Sequence, residues 1–335
     1  MFRPLIPGNS AAILGRKASR MRRAYFHRDY RGFTGGHLKV WDYFCHVDAA
    51  EGYRAEIYFT PLSIWTEHNP WFLSGDRILS EWRPYLGDIV FLAGFDWESI
   101  TVSERDHFPR PIINLVQGLS HSDPQDAKFG FLGHRAIRIC CSPETADALR
   151  ATGRANGPIF TVPNGIDTRL LPVPAPRAAR RFDLLIVGLK APLLAGELAG
   201  ALNLQYPSMR LLILTEPLPR SAFLEARGAA RTALLLPQPK EGFYLPALEA
   251  MMLRTIVVCP DVGGNRSFCR DGETAIVPPQ YDLSALLAAV KRAIAHDGPA
   301  REALIARAAA IAGSYCLLRE RVAFHAILNE IDQIW

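Results

Sequence analysis

Short apolar runs alternate with amphipathic stretches along most of the chain. In the first half, the runs have the apolar, often β-branched character of buried strands, and segments with helical spacing lie between them. The predicted strands are residues 23–27, 55–59, 88–92, 112–116 and 136–141. Strands that alternate with helices predict a doubly wound sheet of parallel strands, so the fold class is α/β.

Two local signals position helices within this pattern. Gly35 and Gly36 follow the first strand and are expected in a loop, before a helix with one apolar face. After the fifth strand, Ser142 is suited to cap a helix and Pro143 to occupy its first position.

The pattern restarts after alternating prolines at residues 171–176 and a basic stretch, Arg177 to Arg181. Alternating prolines are typical of a stiff spacer. Residues 182–187, 211–214 and 255–259 then form further predicted strands, the first followed by a glycine turn at Gly188. We therefore predict two Rossmann-like domains, 1–170 and 171–315, and a C-terminal helix in 316–335 that packs back on the first domain.

Composition narrows the class of protein. Of the 335 residues, 49% are hydrophobic and 21% are charged, which is typical of a globular protein. The sequence has no apolar run near the ~20 residues that a membrane span requires, and it starts without the pattern of a signal peptide. The six cysteines form no Cys-x-x-Cys pair. We expect a reduced, cytoplasmic protein without a structural metal.

Positive charge is concentrated at the N-terminus. The net charge is +5, and seven basic residues precede the first acidic residue, Asp29: Arg3, Arg16, Lys17, Arg20, Arg22, Arg23 and Arg28. One interpretation is a solvated arm, and the other is peripheral contact with anionic lipid at the inner face of a membrane. Nucleic-acid binding is not indicated, because the sequence contains no motif for it.

One segment of the second half indicates a ligand. Residues 241–249 read Glu-Gly-Phe-Tyr-Leu-Pro-Ala-Leu-Glu. Gly242 permits close approach of the backbone to a ligand, and Pro246 is suited to a helix start, whose free N–H groups suit phosphate. Glu241 and Glu249 would repel phosphate but accept hydrogen bonds from sugar hydroxyls. The segment is therefore suited to a nucleotide sugar; the alternative is a buried helix start with two surface acids.

These residues resemble the retaining GT-B glycosyltransferases, the family that includes bacterial lipopolysaccharide and capsule enzymes and sucrose synthase. The similarity includes Glu241–Glu249 and four shorter motifs in the expected order, which are Gly35-Gly36, Val162–Asp167, Gly263–Asn265 and Asp271-Gly272 with Val277-Pro278. It implies the GT-B fold, in which two Rossmann-like domains face a cleft and a C-terminal helix crosses back.

The resemblance also implies roles for residues of the second domain. Glu241 would contact the donor sugar, and Glu249 the ribose. Backbone N–H groups around Phe243, Tyr244 and Leu245, with Gly242 and Gly188 in the adjoining turns, would hold the diphosphate. Lys190 would neutralise it, because it is the cation of the loop in which the family has arginine and lysine.

Four departures from the family pattern accompany this assignment. Leu189 stands at the arginine position, and Tyr244 replaces a glycine. The stretch 214–241 is short, as if one strand–helix unit that contacts the base were missing. Ser267 stands where a glutamate is usual.

In the first domain the resemblance implies three groups near the sugar and the acceptor. Gly36 would let the first loop pass close to the donor, and Gln117 would face the sugar at the end of its strand. His121 is a further catalytic candidate in the same loop. On the acceptor side the candidates are His27, Arg28 and Asp29.

The implied reaction is transfer of a sugar from a nucleotide diphosphate to a hydroxyl of a glycan or lipid-linked acceptor, with retained configuration. No Asp-x-Asp motif indicates a metal, and no cofactor is implied. The alternatives are a nucleotide-sugar 2-epimerase and a non-catalytic glycan- or nucleotide-binding protein. A Rossmann oxidoreductase is not supported, since no Gly-x-Gly-x-x-Gly motif follows a strand. The base, the sugar, the acceptor and the oligomeric state stay open.

Overall fold

The computed structural model describes residues 20–335, and its strands form two separate sheets. The first sheet has six strands in the order β2-β1-β3-β4-β5-β6, and the second has four in the order β10-β9-β7-β8. All neighbouring strands are parallel. The strands are β1 Arg22–Arg28, β2 Tyr53–Phe59, β3 Ile89–Ala93, β4 Ile112–Val116, β5 Ile137–Cys140, β6 Ile159–Thr161, β7 Phe182–Val187, β8 Leu211–Leu214, β9 Ala230–Leu235 and β10 Ile256–Val258.

Helices connect most of these strands, as parallel pairing requires. They are α1 Gly35–Asp48, α2 Val102–Arg105, α3 Pro143–Ala151, α4 Pro192–Gln205, α5 Arg220–Gly228, α6 Leu245–Met252, α7 Leu283–Ala295, α8 Gly298–Gly313, α9 Leu317–Asn329 and α10 Ile331–Ile334. The predicted α/β class with parallel sheets is confirmed.

Strand positions follow the sequence pattern closely. The strands predicted at 112–116, 182–187 and 211–214 have those bounds in the structure. The central strand β9 was not predicted. Together with α5 it forms one helix–strand unit in the short stretch between β8 and Glu241.

The two glycines after β1 do not lie in a loop, and that prediction was wrong. Gly35 and Gly36 are the first residues of α1. The Thr34 side chain accepts a hydrogen bond of 3.2 Å from the His37 amide, so the helix is capped directly before the glycines.

Part of the basic N-terminal cluster belongs to β1 and is paired with acids. Arg22 bonds Asp332 at 2.8 Å, and Arg23 bonds Glu56 at 2.5 Å. The third strand arginine, Arg28, lies 3.4 Å from a carboxylate. For these three residues the solvated-arm interpretation was therefore wrong. Arg3, Arg16 and Lys17 lie outside the described residues.

The C-terminal helices pack on the domain of the first sheet. Phe324 of α9 is fully buried in the core beneath α1, and the Tyr53 hydroxyl donates to the Leu328 carbonyl at 2.9 Å. The chain crosses between the domains twice, near residue 166 and near residue 316, and the two crossings lie side by side. Ile166 and Cys316 form a parallel bridge there, and a β-carbon at Gly165 would lie 2.5 Å from the Cys316 carbonyl.

Two sequence expectations concern membranes and cysteines. Across residues 20–335, no helix has both the length and the apolar character needed to cross a bilayer. All six cysteines are free thiols, and four of them are buried.

Candidate active site

Two helix N-termini face each other at the cleft between the domains. A β-carbon at Gly35, the first residue of α1, would lie 3.7 Å from Cδ1 of Leu245, the first residue of α6. Neither first turn carries an acidic residue. The positive ends of two helix dipoles therefore converge here, which favours an anion.

Glycines allow the backbones of the two domains to touch beside these helix ends. A β-carbon at Gly242 would lie 2.4 Å from the Gln117 carbonyl oxygen of the first domain. Within the second domain, one at Gly264 would lie 2.3 Å from the Gly242 carbonyl carbon. Gly118 and Glu241 form an isolated antiparallel bridge across the same contact. Side chains larger than hydrogen have no room at positions 242 and 264.

Gly36 and Gln117, which the resemblance places near the donor, contact each other. The Gln117 side-chain amide donates to the Gly36 carbonyl at 3.1 Å. A β-carbon at residue 36 would lie 2.8 Å from Oε1 of Gln117. The end of β4 is thereby fixed to the start of α1.

Glu241 lies where the two domains touch, at its bridge with Gly118. Burial raises its pKa, and the positive charge of Lys190 partly offsets that effect. Lys190 is exposed, and among residues 20–335 its ammonium group has neither a hydrogen bond nor an ion pair. The proposed sugar-binding acid and the proposed phosphate-binding cation therefore lie within electrostatic reach of each other.

The backbone of residues 243–245 offers fewer donors than the sequence predicts. The Tyr244 amide donates to the Gly264 carbonyl and the Leu245 amide to the Phe243 carbonyl, each at 3.1 Å. Of these three amides, that of Phe243 alone lacks a hydrogen bond in the described part of the chain. Of the three backbone donors predicted to bind phosphate, the Phe243 amide is therefore the one that has no other partner among the described residues.

Glu249 is held by two arginines that the sequence analysis did not single out. Its carboxylate oxygens accept hydrogen bonds from Arg220 and Arg227, and its side chain is 1% exposed. Burial acts to raise the pKa of Glu249, but the two guanidinium groups outweigh it and the pKa is lowered. Arg220 and Arg227 are seven positions apart, so the sequence could have predicted that they share one face of α5. It could not have predicted that both bind Glu249.

A cavity of about 60 Å³ adjoins this ion-pair group. Leu38, Trp41 and Asp42 of α1 line one side of it, and Arg220 and Glu249 line the other. Since one water molecule needs roughly 10–15 Å³ of such volume, the cavity holds only a few waters and is too small for a nucleoside. The ribose role of Glu249 stays a prediction, and it requires Arg220 to move or to share the carboxylate.

The turn after β7 serves packing as well as ligand approach. A β-carbon at Gly188 would lie 2.3 Å from that of Ala195, so glycine lets α4 pack against the turn. Leu189, at the family's arginine position, packs against the core of the second domain.

His121 is buried within the first domain, with 4% of its surface exposed. Its Nδ1 lies 3.3 Å from the Gly118 carbonyl oxygen, and its Nε2 has no partner in the described residues. Burial lowers the pKa of His121 to about 4, so the ring is neutral at physiological pH. Its catalytic role stays a prediction.

The acceptor-side candidates meet a carboxylate that sequence analysis missed. Asp96, directly after β3, lies 3.4 Å from Nδ1 of His27 and 3.4 Å from a guanidinium nitrogen of Arg28. Asp29 instead accepts from the Thr60 hydroxyl at 2.5 Å. The position of Gly94-Phe95-Asp96 at the carboxyl end of a strand was the available signal.

His37, in the first turn of α1, is a further histidine near the acceptor-side candidates. Its ring packs at a tilt of 54° against Tyr30 with ring centres 4.9 Å apart, and its Nδ1 has no partner within residues 20–335. Burial, with a smaller effect of Arg28, lowers the pKa of His37 to about 4. In the same described range, no three His, Cys, Asp or Glu side chains are grouped to hold a metal ion.

Comparison with known proteins agrees with this architecture. Residues 219–310 match the family model of glycosyl transferases group 1, which includes α6 and its flanking acids. Among curated proteins, none matches the sequence significantly. The stated family resemblance is therefore confirmed over this part of the second domain.

Solved structures extend the similarity to both domains. Sucrose-phosphate synthase from Thermosynechococcus elongatus superposes with a TM-score of 0.69 at 15% identity, over 93% of this chain and 99% of that one. HepE from Anabaena, in complex with UDP and glucose, gives 0.69 at 12% identity, over 92% and 100%. TarM from S. aureus gives 0.57 at 14% identity, over 72% of this chain and 55% of that one. At these identities the similarity establishes the fold, which is the GT-B fold of glycosyltransferases.

Proposed function

We propose that this protein is a glycosyltransferase that moves a sugar from a nucleotide diphosphate to an acceptor hydroxyl. The observation that carries the proposal is the meeting of the α1 and α6 N-termini at the cleft, next to Glu241 and Lys190. An anion between two helix ends, with a free cation and a half-buried carboxylate beside it, fits a diphosphate joined to a sugar. The complex of HepE with UDP and glucose supports the same donor class.

The diphosphate would lie between the two helix starts. The Phe243 amide and the Lys190 ammonium would bind the distal phosphate, whose negative charge grows as the sugar departs. A positioned donor of this kind contributes a factor of roughly 10²–10³ in rate. Lys190 therefore has the larger role, since a helix end at an exposed site contributes only about 0.3–1 kcal/mol.

The sugar would lie beside Glu241 and Gln117. The half-buried Glu241 carboxylate would accept hydrogen bonds from sugar hydroxyls and fix the sugar's orientation toward the acceptor. His27, Arg28 and Asp96 at the ends of β1 and β3 would face the incoming hydroxyl. Front-face attack assisted by the leaving phosphate would retain the anomeric configuration and needs no metal.

The donor requires the cleft to open. The cavity beside Glu249 holds about 60 Å³, and the Gln117–Gly242 contact bridges the domains directly. Opening admits the nucleotide, and closure would exclude the water that hydrolyses it. A glycan or lipid-linked acceptor of bacterial surface polysaccharide synthesis, with peripheral contact to anionic lipid, is the setting we propose.

The test is transfer from UDP-, GDP-, dTDP- and ADP-sugars to an acceptor panel, with the anomeric configuration of the product read by NMR. We expect one donor class to react with retention, and we expect Glu241→Ala and Lys190→Ala to abolish transfer while circular dichroism stays unchanged. Full activity of both variants would refute the site. An inverted product would refute the mechanism alone.

A non-catalytic nucleotide-sugar-binding protein is the second candidate. Leu189 packs against the core where the family has a cation, and Glu249 already pairs with Arg220 and Arg227. Calorimetric binding of a donor without turnover across the acceptor panel would favour this candidate. A changed sugar after incubation with donor alone would instead indicate an epimerase.

A further inference from the structure

A basic cavity lies at the opposite edge of the second sheet from the cleft. It has a volume of about 240 Å³ and opens next to the amino ends of β7, β9 and β10. The chain that joins the domains supplies one wall through Pro174 and Pro176. Its charged lining consists of Arg177, Arg180, Arg231, Arg254 and Glu302.

These charges do not balance. Four arginines and one glutamate give the lining a formal charge of +3 (4 − 1). Glu302 is shared between Arg254, at 3.6 Å, and Arg301, at 3.2 Å. Arg231 pairs with Asp183 at 2.8 Å, outside the cavity lining. Among residues 20–335, the Arg177 guanidinium has no hydrogen bond or ion pair; Asp183 and Glu302 act on it only at longer range, and their effect is smaller than that of Arg301 and Arg231.

Arg180 is a buried cation without a carboxylate. It is 4% exposed, and its guanidinium donates to neutral groups: the carbonyls of Ala175, Ala230 and Leu253 and the Thr255 hydroxyl. Burial, followed by the charges of Arg177 and Arg254, lowers the pKa of Arg180 to about 10. A buried charge is costly unless it is paired, and an anion in the cavity would offset that cost.

Arg254 occupies a backbone position at which glycine is usual. Its φ is +56°, and it is the one non-glycine residue with a positive φ in the described chain. The Arg254 amide donates to the Met251 carbonyl and the Thr255 amide to the Ala250 carbonyl, the pairing that ends a helix with a left-handed residue. A strained arginine at such a position indicates that its side chain serves a purpose.

We infer that this cavity binds a small phosphate-bearing anion, at a site separate from the donor cleft. Guanidinium groups match the geometry of phosphate oxygens and bind them through paired hydrogen bonds. The volume accommodates a phosphate with an attached group, such as a diphosphate or a phosphate monoester. Arg177, Arg231 and Arg254 supply the donors. Arg180 adds positive charge from its buried position and fixes the surrounding backbone through its hydrogen bonds.

The test is a titration of the full chain with inorganic pyrophosphate at constant ionic strength, followed by thermal unfolding. The wild type should show a saturable rise in melting temperature. Arg177→Gln combined with Arg254→Gly should weaken that binding at least tenfold. Because Arg254→Gly relieves the left-handed strain, this variant should be no less stable than the wild type without ligand.

Two controls separate the site from other anion binding. Arg150→Gln, on the exposed face of α3, should leave the titration unchanged. Lys190→Ala should also retain it, since Lys190 belongs to the donor cleft. The proposal is overturned if the wild type shows no saturable shift, if the double variant binds as well as the wild type, or if Lys190→Ala alone removes binding. Loss of binding in Lys190→Ala alone would place the pyrophosphate at the donor cleft; the other two results leave the proposed glycosyltransferase function untouched.

Discussion

Gly242 of the second domain lies against Gln117 of the first so closely that a β-carbon on residue 242 would be 2.4 Å from the Gln117 carbonyl oxygen. Real β-carbons do not approach backbone oxygens to that distance. The glycine of the Glu241–Glu249 segment therefore serves the contact between domains as well as access to a ligand.

Gly242→Ala should push the two domains apart at the cleft. We expect transfer, measured as kcat/KM with the preferred donor, to fall at least tenfold because Glu241 and the α6 end lose their position. Gly196→Ala is the matched control, since nothing lies within 4 Å of a β-carbon there. That change at an exposed position of α4 should stabilise the protein by up to about 1 kcal/mol and leave kcat/KM unchanged. Equal activity of the two variants would contradict the contact's role.

Lys39 and Glu320 form a buried ion pair that fastens the last long helix to the first. Lys39 Nζ lies 2.6 Å from Glu320, 2.7 Å from Asp42 and 3.0 Å from the Gly165 carbonyl. Lys39→Met leaves two buried carboxylates without their cation, and we expect a loss of about 3–5 kcal/mol in the free energy of unfolding, measured in urea. The double variant Lys39→Met, Glu320→Gln should recover part of it. A loss below about 1 kcal/mol for the single variant would be inconsistent with this account.

The same pair predicts an acid limit of stability. Burial acts to raise the pKa of Glu320, but Lys39 and His46 outweigh it and the pKa lies below its ordinary 4.5. A depressed carboxylate pKa stabilises the fold above about pH 4.5, and that contribution is lost as the pH falls through the lower, folded-state value. Urea midpoints measured from pH 7 to pH 3 should therefore fall less for Glu320→Gln than for the wild type. Parallel curves would contradict the prediction.

Glu249 allows structural and binding roles to be separated. Glu249→Ala leaves the fully buried Arg227 without a carboxylate, and we expect a loss of about 3–5 kcal/mol in unfolding free energy. Arg220→Gln should cost far less, since Arg220 is partly exposed and Glu249 keeps Arg227. Because Arg220 lines the cavity beside the proposed ribose site, its change should alter the donor KM more than kcat. An unchanged KM would exclude Arg220 from donor binding.

Glu241→Gln should raise stability and lower activity together. Burial raises the pKa of Glu241, so its ionisation at neutral pH opposes folding; glutamine removes that cost. We expect a higher melting temperature at pH 7.5 than in the wild type, and no such gain at a pH below about 4, where both side chains are neutral. A lower melting temperature at pH 7.5 would show that the carboxylate stabilises the fold.

The sequence predicts much of this fold because local patterns determine it. Strands such as 112–116 and 182–187 are runs with a single polar residue each, and Ser142 with Pro143 marks a helix start that the structure retains. The capping of α1 by Thr34 was missed because the two glycines after it favour a loop when considered alone. Strand β9 was missed because its first residues, Ala230 to Thr232, are only partly apolar.

The site was predictable in its motif but not in its long-range pairs. Glu241, Gly242 and Glu249 are marked by spacing along one segment. The arginines that bind Glu249 come from 22 and 29 positions earlier, and Asp96 reaches His27 across 69 positions. Such partners depend on tertiary packing, for which a single sequence carries no periodic signal.

The most direct test of the central claim is thermal unfolding of the wild type and Lys190→Ala with a panel of UDP-, GDP-, dTDP- and ADP-glucose. A ligand at 100 times its Kd stabilises the folded state by about 2.7 kcal/mol, which is readily seen as a shift in melting temperature. We expect one nucleotide sugar to raise the melting temperature of the wild type and to lose most of that effect in Lys190→Ala. No shift with any donor, or an equal shift in both proteins, would contradict a diphosphate site between the α1 and α6 N-termini.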